Sequence, residues 1–167
     1  MSREDFARMN DRLRHGSVSD WEAMSQADTS FPNGADGVIG RRWILNAIDV
    51  GSPACVKWML ARGVELEFRD AEGRNVLDAI IERTGDLEEK YEILAALIEA
   101  GADLDAFGFN GWAPLHLAAA RNDLTALRML LDAGAHRHLR TQIDDRATPL
   151  EVALDHGHEE AARMLRG

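Results

Sequence analysis

This chain of 167 residues has one cysteine, two lysines and no long apolar run. Cys55 is the only cysteine, so no disulfide closes within the chain and no thiolate cluster holds a metal. Its neighbours Val56, Trp58, Met59 and Leu60 predict a buried, inert thiol. Stretches such as Ile44–Ile48 and Leu115–Ala120 fall far short of the roughly 18–20 apolar residues that span a bilayer. Met1–Phe6 carries no apolar core and no small-residue cleavage site, so a cytoplasmic location is expected. Acidic residues number 29 against 19 basic ones, for a net charge of −10. That balance argues against nucleic acid or an anionic membrane as the partner, because both need clustered positive charge. It suits solubility, or attraction to a basic partner. Lys57 and Lys90 are the only lysines; the other basic residues are arginines, a bias that points towards a GC-rich, bacterial coding genome. The chain also lacks a glycine-rich phosphate loop, a nucleophile elbow and a helical His-Glu-x-x-His.

What is present is a repeat. Arg62-Gly63-Val64-Glu65-Leu66, Ala100-Gly101-Ala102-Asp103-Leu104 and Ala133-Gly134-Ala135-His136 are variants of one string. Gly101 and Gly134 are 33 residues apart; Gly63 and Gly101 are 38 apart, as expected of the same unit with a five-residue insertion near Thr84–Glu89 that lengthens its inter-helix turn. Each glycine follows an amphipathic stretch: Val56, Met59 and Leu60; Tyr91, Leu94, Leu97 and Ile98; Leu124, Leu127, Leu130 and Leu131. A glycine there signals a helix C-terminus. A shorter apolar helix precedes each stretch, at Ile44–Val50, Leu77–Arg83 and Leu115–Arg121, and another lies at Leu150–His156. The unit is helix, tight turn, helix, polar loop.

Gly111-Trp112-Ala113-Pro114-Leu115-His116-Leu117-Ala118-Ala119 closely resembles the ankyrin signature, in which a Gly-x-Thr-Pro-Leu-His turn opens the first helix. Arg146-Ala147-Thr148-Pro149-Leu150 repeats its core, and Gly73-Arg74-Asn75-Val76-Leu77 and Gly40-Arg41-Arg42-Trp43-Ile44 are looser copies. Proline suits a first helical turn, where its missing N–H would have no partner anyway. The resemblance implies an all-α ankyrin-repeat solenoid forming a single domain over 1–167. Its repeats are placed at 37–69, 70–107, 108–140 and 141–167, after a degenerate capping unit at 2–28 built on Phe6, Met9, Leu13, Val18, Trp21 and Met24. Residues 29–36 read as a turn-rich connector. Ala113 replaces the family's threonine and should lose a turn-capping hydrogen bond, and Arg166 fits a polar terminal cap.

The resemblance further implies a protein-binding module without enzymatic activity or cofactor, monomeric when free, that docks through its loop fingertips and the exposed side of each first helix. Carried onto this sequence, the partner-binding residues are Arg41, Glu72, Arg74, Phe109, Asn110, Trp112, Arg121, Asp144, Asp145 and His156, with Ile39, Asp49, Val50, Glu82, Arg83 and Asp155 flanking them. Trp112 and Phe109 are expected to be exposed and have the character of interface hot spots. The leading functional expectation is an inhibitory binding protein, in its specific form an immunity protein that neutralises a basic bacterial toxin. The alternative is a regulatory or scaffolding adaptor for a host enzyme or transcription factor. A metal-dependent enzyme would need His136, His138, His156 and His158 to converge; the plainer reading gives His158 and His116 structural roles in their turns. Asp86, Glu88, Glu89 and Glu92 read as a solvated helix face, with carboxylates near the N-terminus favoured by the helix dipole.

Overall fold

The structure, a computed structural model, describes residues 3–36, 41–143 and 146–167. Ten α-helices follow one another among these residues: α1 (Arg3–His15), α2 (Val18–Ala27), α3 (Trp43–Val50), α4 (Pro53–Leu60), α5 (Val76–Glu82), α6 (Leu87–Glu99), α7 (Pro114–Ala120), α8 (Leu124–Asp132), α9 (Pro149–Asp155) and α10 (Glu159–Arg166). The described residues contain no strand, only an isolated bridge between Ala35 and Arg42.

Local chemistry sets the helix starts. Pro53, Pro114 and Pro149 open α4, α7 and α9. Ser17, Asn75 and Thr148 accept backbone amides as N-caps, while Asp20, Asp78 and Glu151 return a bond to the cap residue's own amide. Each of these reciprocal boxes satisfies donors that the first helical turn leaves over. At Ala113 half of such a box survives: the side chain offers no acceptor, but its amide donates to His116 Nδ1 at 3.2 Å. Gly101 and Gly134 lie just past α6 and α8 with φ of 85° and 100°. A Cβ at either would meet nothing within 4 Å, so backbone conformation, not space, explains the glycine.

The helices stack in two rows. First helices α1, α3, α5, α7 and α9 pack consecutively, and second helices α2, α4, α6, α8 and α10 do the same. Between the rows runs a continuous core in which Leu13, Ile48, Met59, Leu77, Ile80, Leu94, Leu97 and Leu115 are fully buried. Ala47, Ala118, Ala119 and Ala153 are buried at the first-helix contacts, where small side chains let backbones approach. No single pair could hide its apolar side alone; each is covered by its neighbours.

The structure refines several local expectations. The five-residue insertion goes mainly into helix rather than turn. α6 has 13 residues against 9 in α8, while the turn before it, 83–86, is one residue longer than the corresponding 121–123. In the N-terminal pair, Met9, Leu13, Trp21 and Met24 are buried, but Val18 is 52% exposed because it is the first residue of α2, beyond the end of the packed stripe. The connector contributes to the core as well. Phe31 is buried, edge-on to Trp43 at 5.2 Å and stacked on Trp58 at 5.5 Å, and Trp58 meets Trp21 at 5.9 Å. This aromatic cluster ties the N-terminal helix pair to α3 and α4.

The acidic stretch of α6 is not simply a solvated face. Glu89 is held between two arginines, by Arg14 of α1 at 2.9 and 3.2 Å and by Arg83 at 3.0 Å. Arg14 also donates to the carbonyls of Val50 and Gly51 at the end of α3. The extra helical turn of α6 thus reaches across the stack to the N-terminal pair. Asp86 caps α6 through the Glu89 amide, and Glu92 pairs with Lys57 at 2.6 Å.

Candidate protein-docking surface

Between the end of each second helix and the next first helix the chain projects a loop, here called a finger, and successive fingers are fastened from the helix behind. Asn75, at the start of α5, donates from Nδ2 to the Ala106 carbonyl at 3.1 Å. His116, in the first turn of α7, bonds the Ala147 carbonyl through Nε2 at 3.0 Å. A carbonyl only accepts, so Nε2 carries the proton and Nδ1 is the acceptor for the Ala113 amide. Burial lowers the His116 pKa, against the opposing pull of the Ala147 and Leu139 carbonyls, and keeps the ring neutral. The fingers starting near Ala102 and Ala135 are also joined directly, by the Gln142 amide to the Gly111 carbonyl at 2.9 Å.

On this scaffold the residues singled out from sequence fall into separate groups. Arg41 pairs with Asp49 of α3. Arg74 pairs with Glu72 at 2.6 Å and Asp70 at 3.1 Å, and Asp70 in turn accepts the amides of Glu72 and Arg74. Burial works against the charge on Arg74, but Asp70 and Glu72 outweigh it and Asp49 adds to them, so its pKa lies above the ordinary arginine value. Arg41, Glu72 and Arg74 therefore form one electrostatic group, and Asp49 is its link. Phe109 is 43% exposed, and Asn110 beside it is exposed with φ of 57°, a left-handed conformation that asparagine tolerates. Arg121 is exposed at the end of α7 and donates to the Glu82 carbonyl at 3.1 Å. His156, exposed at the end of α9, bonds the Val152 carbonyl through Nδ1, and its ring centroid lies 5.8 Å from that of His158. Asp144, Asp145 and Ile39 lie outside the described residues.

Trp112 departs from expectation. It is half-buried, packs against the core and lies 6.3 Å from the His116 ring. Its indole turns to the core, and Phe109 is the aromatic of this finger that faces solvent. Ile143 and Leu154, both 40% exposed, are further outward-facing apolar side chains that the sequence reading missed. Ile143 falls one repeat step after Phe109–Asn110, so the spacing could have found it; for Leu154 only packing decides which side of α9 faces out.

Other chemistry is sparse here. His136 pairs with Asp105, and His158 bonds the Ala119 carbonyl at 3.0 Å. Among the described residues no three His, Cys, Asp or Glu side chains gather in a metal-binding group. None of the described helices is long and apolar enough to cross a membrane.

Stacked helix pairs with projecting fingers define a class, and comparison with known proteins gives the same answer. The family model for ankyrin repeats (3 copies) matches residues 44–141 and 87–167. The chain belongs to the ankyrin-repeat family, whose repeats are protein–protein interaction modules. Among similar proteins, the putative E3 ubiquitin-protein ligase XBAT34 of Arabidopsis thaliana is 35% identical over 112 residues, covering 66% of this chain and 28% of that protein. Protein PhlB of Serratia liquefaciens is 39% identical over 74 residues, or 44% of this chain and 32% of PhlB. Ankyrin repeat protein nuc-2 of Neurospora crassa is 33% identical over 117 residues, or 69% of this chain and 10% of nuc-2. The matched stretch is thus at most 32% of the length of any of these three relatives.

Proposed function

We propose that the chain, working as a single cytoplasmic domain of four repeats at 37–69, 70–107, 108–140 and 141–167 behind the cap at 2–28, is an inhibitory binding protein that covers the working surface of another protein. The observation that carries this reading is the exposure of Phe109 and Ile143 on two fingers joined through Gln142 and Gly111. Large apolar side chains held outward on a fixed backbone are what an interface core needs. Arg41, Glu72, Arg74, Asn110, Arg121 and His156 supply the charged and polar surround. The net charge of −10 suits a basic partner, and in a bacterium the role is that of an immunity protein against a basic toxin.

The test compares the wild-type chain with the Phe109→Asp, Ile143→Asp double variant as bait in the native cell extract. A partner captured by the wild type should be lost from the variant while the two proteins melt together, and its association rate should fall steeply with added salt. Equal capture by both baits would refute this placement of the interface. A captured enzyme that keeps full activity in the complex would replace inhibition by scaffolding.

A further inference from the structure

Asp78 occupies on α5 the place that His116 occupies on α7: each is the third residue of its helix and each reaches to the next finger. The two side chains do this with different chemistry. His116 is a neutral ring with both nitrogens bonded. Asp78 is a carboxyl group with 0% exposure. Its Oδ2 accepts the Asn75 amide at 3.1 Å and the Phe109 amide at 3.3 Å, and its Oδ1 has no hydrogen-bond partner. The finger lies directly on it: a Cβ built on Gly108 would fall 1.6 Å from Oδ2.

A buried carboxylate with half its acceptor capacity unused is costly in its charged form. Burial pushes the Asp78 pKa up to about 6, with the Asn75 and Phe109 amides pulling the other way. Among the described residues, Glu82 on its own helix raises the value and Arg69 on the preceding finger lowers it. The overlying finger meets the group with the backbone of Gly108 and Phe109.

We propose that Asp78 is a positioning residue whose protonation fastens the 106–112 finger and whose ionisation loosens it, so that the surface presented by Phe109 and Asn110 changes with pH. The consequence for binding rests on the docking reading above; the fastening itself is a property of the free chain. Lifting the finger admits water and returns Asp78 towards its ordinary value of 3.8. The closed finger therefore holds the proton more tightly than the open one. Proton linkage then favours closure in acid: the gain is full below 3.8, is lost as pH rises towards about 6, and is absent above that. A separation of that size corresponds to a change of about 100-fold in the open-to-closed ratio.

The experiment is amide hydrogen exchange by NMR on the full chain between pH 4.5 and 7.5, corrected for the intrinsic rate. The Leu127 amide, bonded to the Asp123 carbonyl in α8, serves as the internal reference. Protection of the Phe109 amide relative to Leu127 should fall by about 10- to 100-fold across that range. Asp78→Asn keeps a carbonyl acceptor for both amides and removes the ionisation, so it should give a flat profile at the acid level of protection. A pH-independent wild-type profile, or an unchanged pH dependence in Asp78→Asn, overturns the proposal. If Asp78→Asn does not fold, the wild type decides: the Asp78 carboxyl carbon and the Phe109 amide must titrate with one midpoint, and separate midpoints overturn it. A chain with a proton-dependent finger that binds its partner elsewhere would keep this inference and lose the docking reading.

Discussion

Replacing Glu89 with alanine removes the carboxylate between Arg14 and Arg83, and the consequence can be worked out from exposure. The Arg83 side chain is 9% exposed, Glu89 27% and Arg14 35%. Breaking a buried ion pair by deleting one partner costs about 3–5 kcal/mol, because the other charge stays buried. Among the described residues Arg83 then keeps the Asp86 carbonyl at 3.2 Å, and its Nε has no hydrogen-bond partner there. Arg14 is wetter and retains the Val50 and Gly51 carbonyls, so its share falls towards the fraction of a kcal/mol typical of surface pairs. Glu89 is itself partly hydrated, which scales the buried-pair figure down, and the two shares together come to about 2–3 kcal/mol. With a urea slope of about 2 kcal/mol per molar, the midpoint should drop by about 1–1.5 M. Three of the four tryptophans, Trp21, Trp43 and Trp58, lie in the N-terminal aromatic cluster, so fluorescence should report this loss ahead of far-ultraviolet circular dichroism. The control is Glu92→Ala, which breaks a Lys57 pair with side chains 53% and 47% exposed and should cost at most about 0.5 kcal/mol. If Glu89→Ala costs no more than Glu92→Ala, the clamp between α1 and α6 is not a source of stability and the reasoning fails.

Two further outcomes are expected. Burial pushes the Cys55 thiol up to about 12, so the native chain should ignore a disulfide reagent at pH 8 and titrate one thiol once denatured; a native reaction at the free-thiol rate would contradict the burial. Lys90→Met should cost about 3 kcal/mol in urea denaturation at pH 7, because Asp123, 7% exposed, loses the ammonium 2.8 Å away. Burial raises the Asp123 pKa, but the bonds from Lys90, the Ala126 amide and Tyr91 outweigh it and hold the value below 3.8. Its contribution is therefore present above 3.8 and lost as pH falls through the folded value, so Lys90→Met should flatten the stability profile below pH 4.

Much of the fold was legible from local rules. Pro114, Pro149 and the glycines after α4, α6 and α8 mark helix ends by conformational limits that operate over a few residues. Leu124, Leu127, Leu130 and Leu131 mark a buried face by period alone. The candidate docking surface was legible only as positions in a repeat. Repeat position placed Phe109 and Asn110 on a finger, and the structure leaves both exposed. It placed Trp112 there too, but could not foresee that the indole would turn towards His116 and the core.

The 33-residue step, the turn signature and the amphipathic periods determined the helix-pair unit and its stacking, because each depends on residues close in sequence. Three features were decided by tertiary contact: Phe31 among the tryptophans, Glu89 between Arg14 and Arg83, and the buried Asp78 under Gly108. In each, the energy comes from desolvation and close approach between segments separated along the chain, and neither quantity exists until the stack has formed.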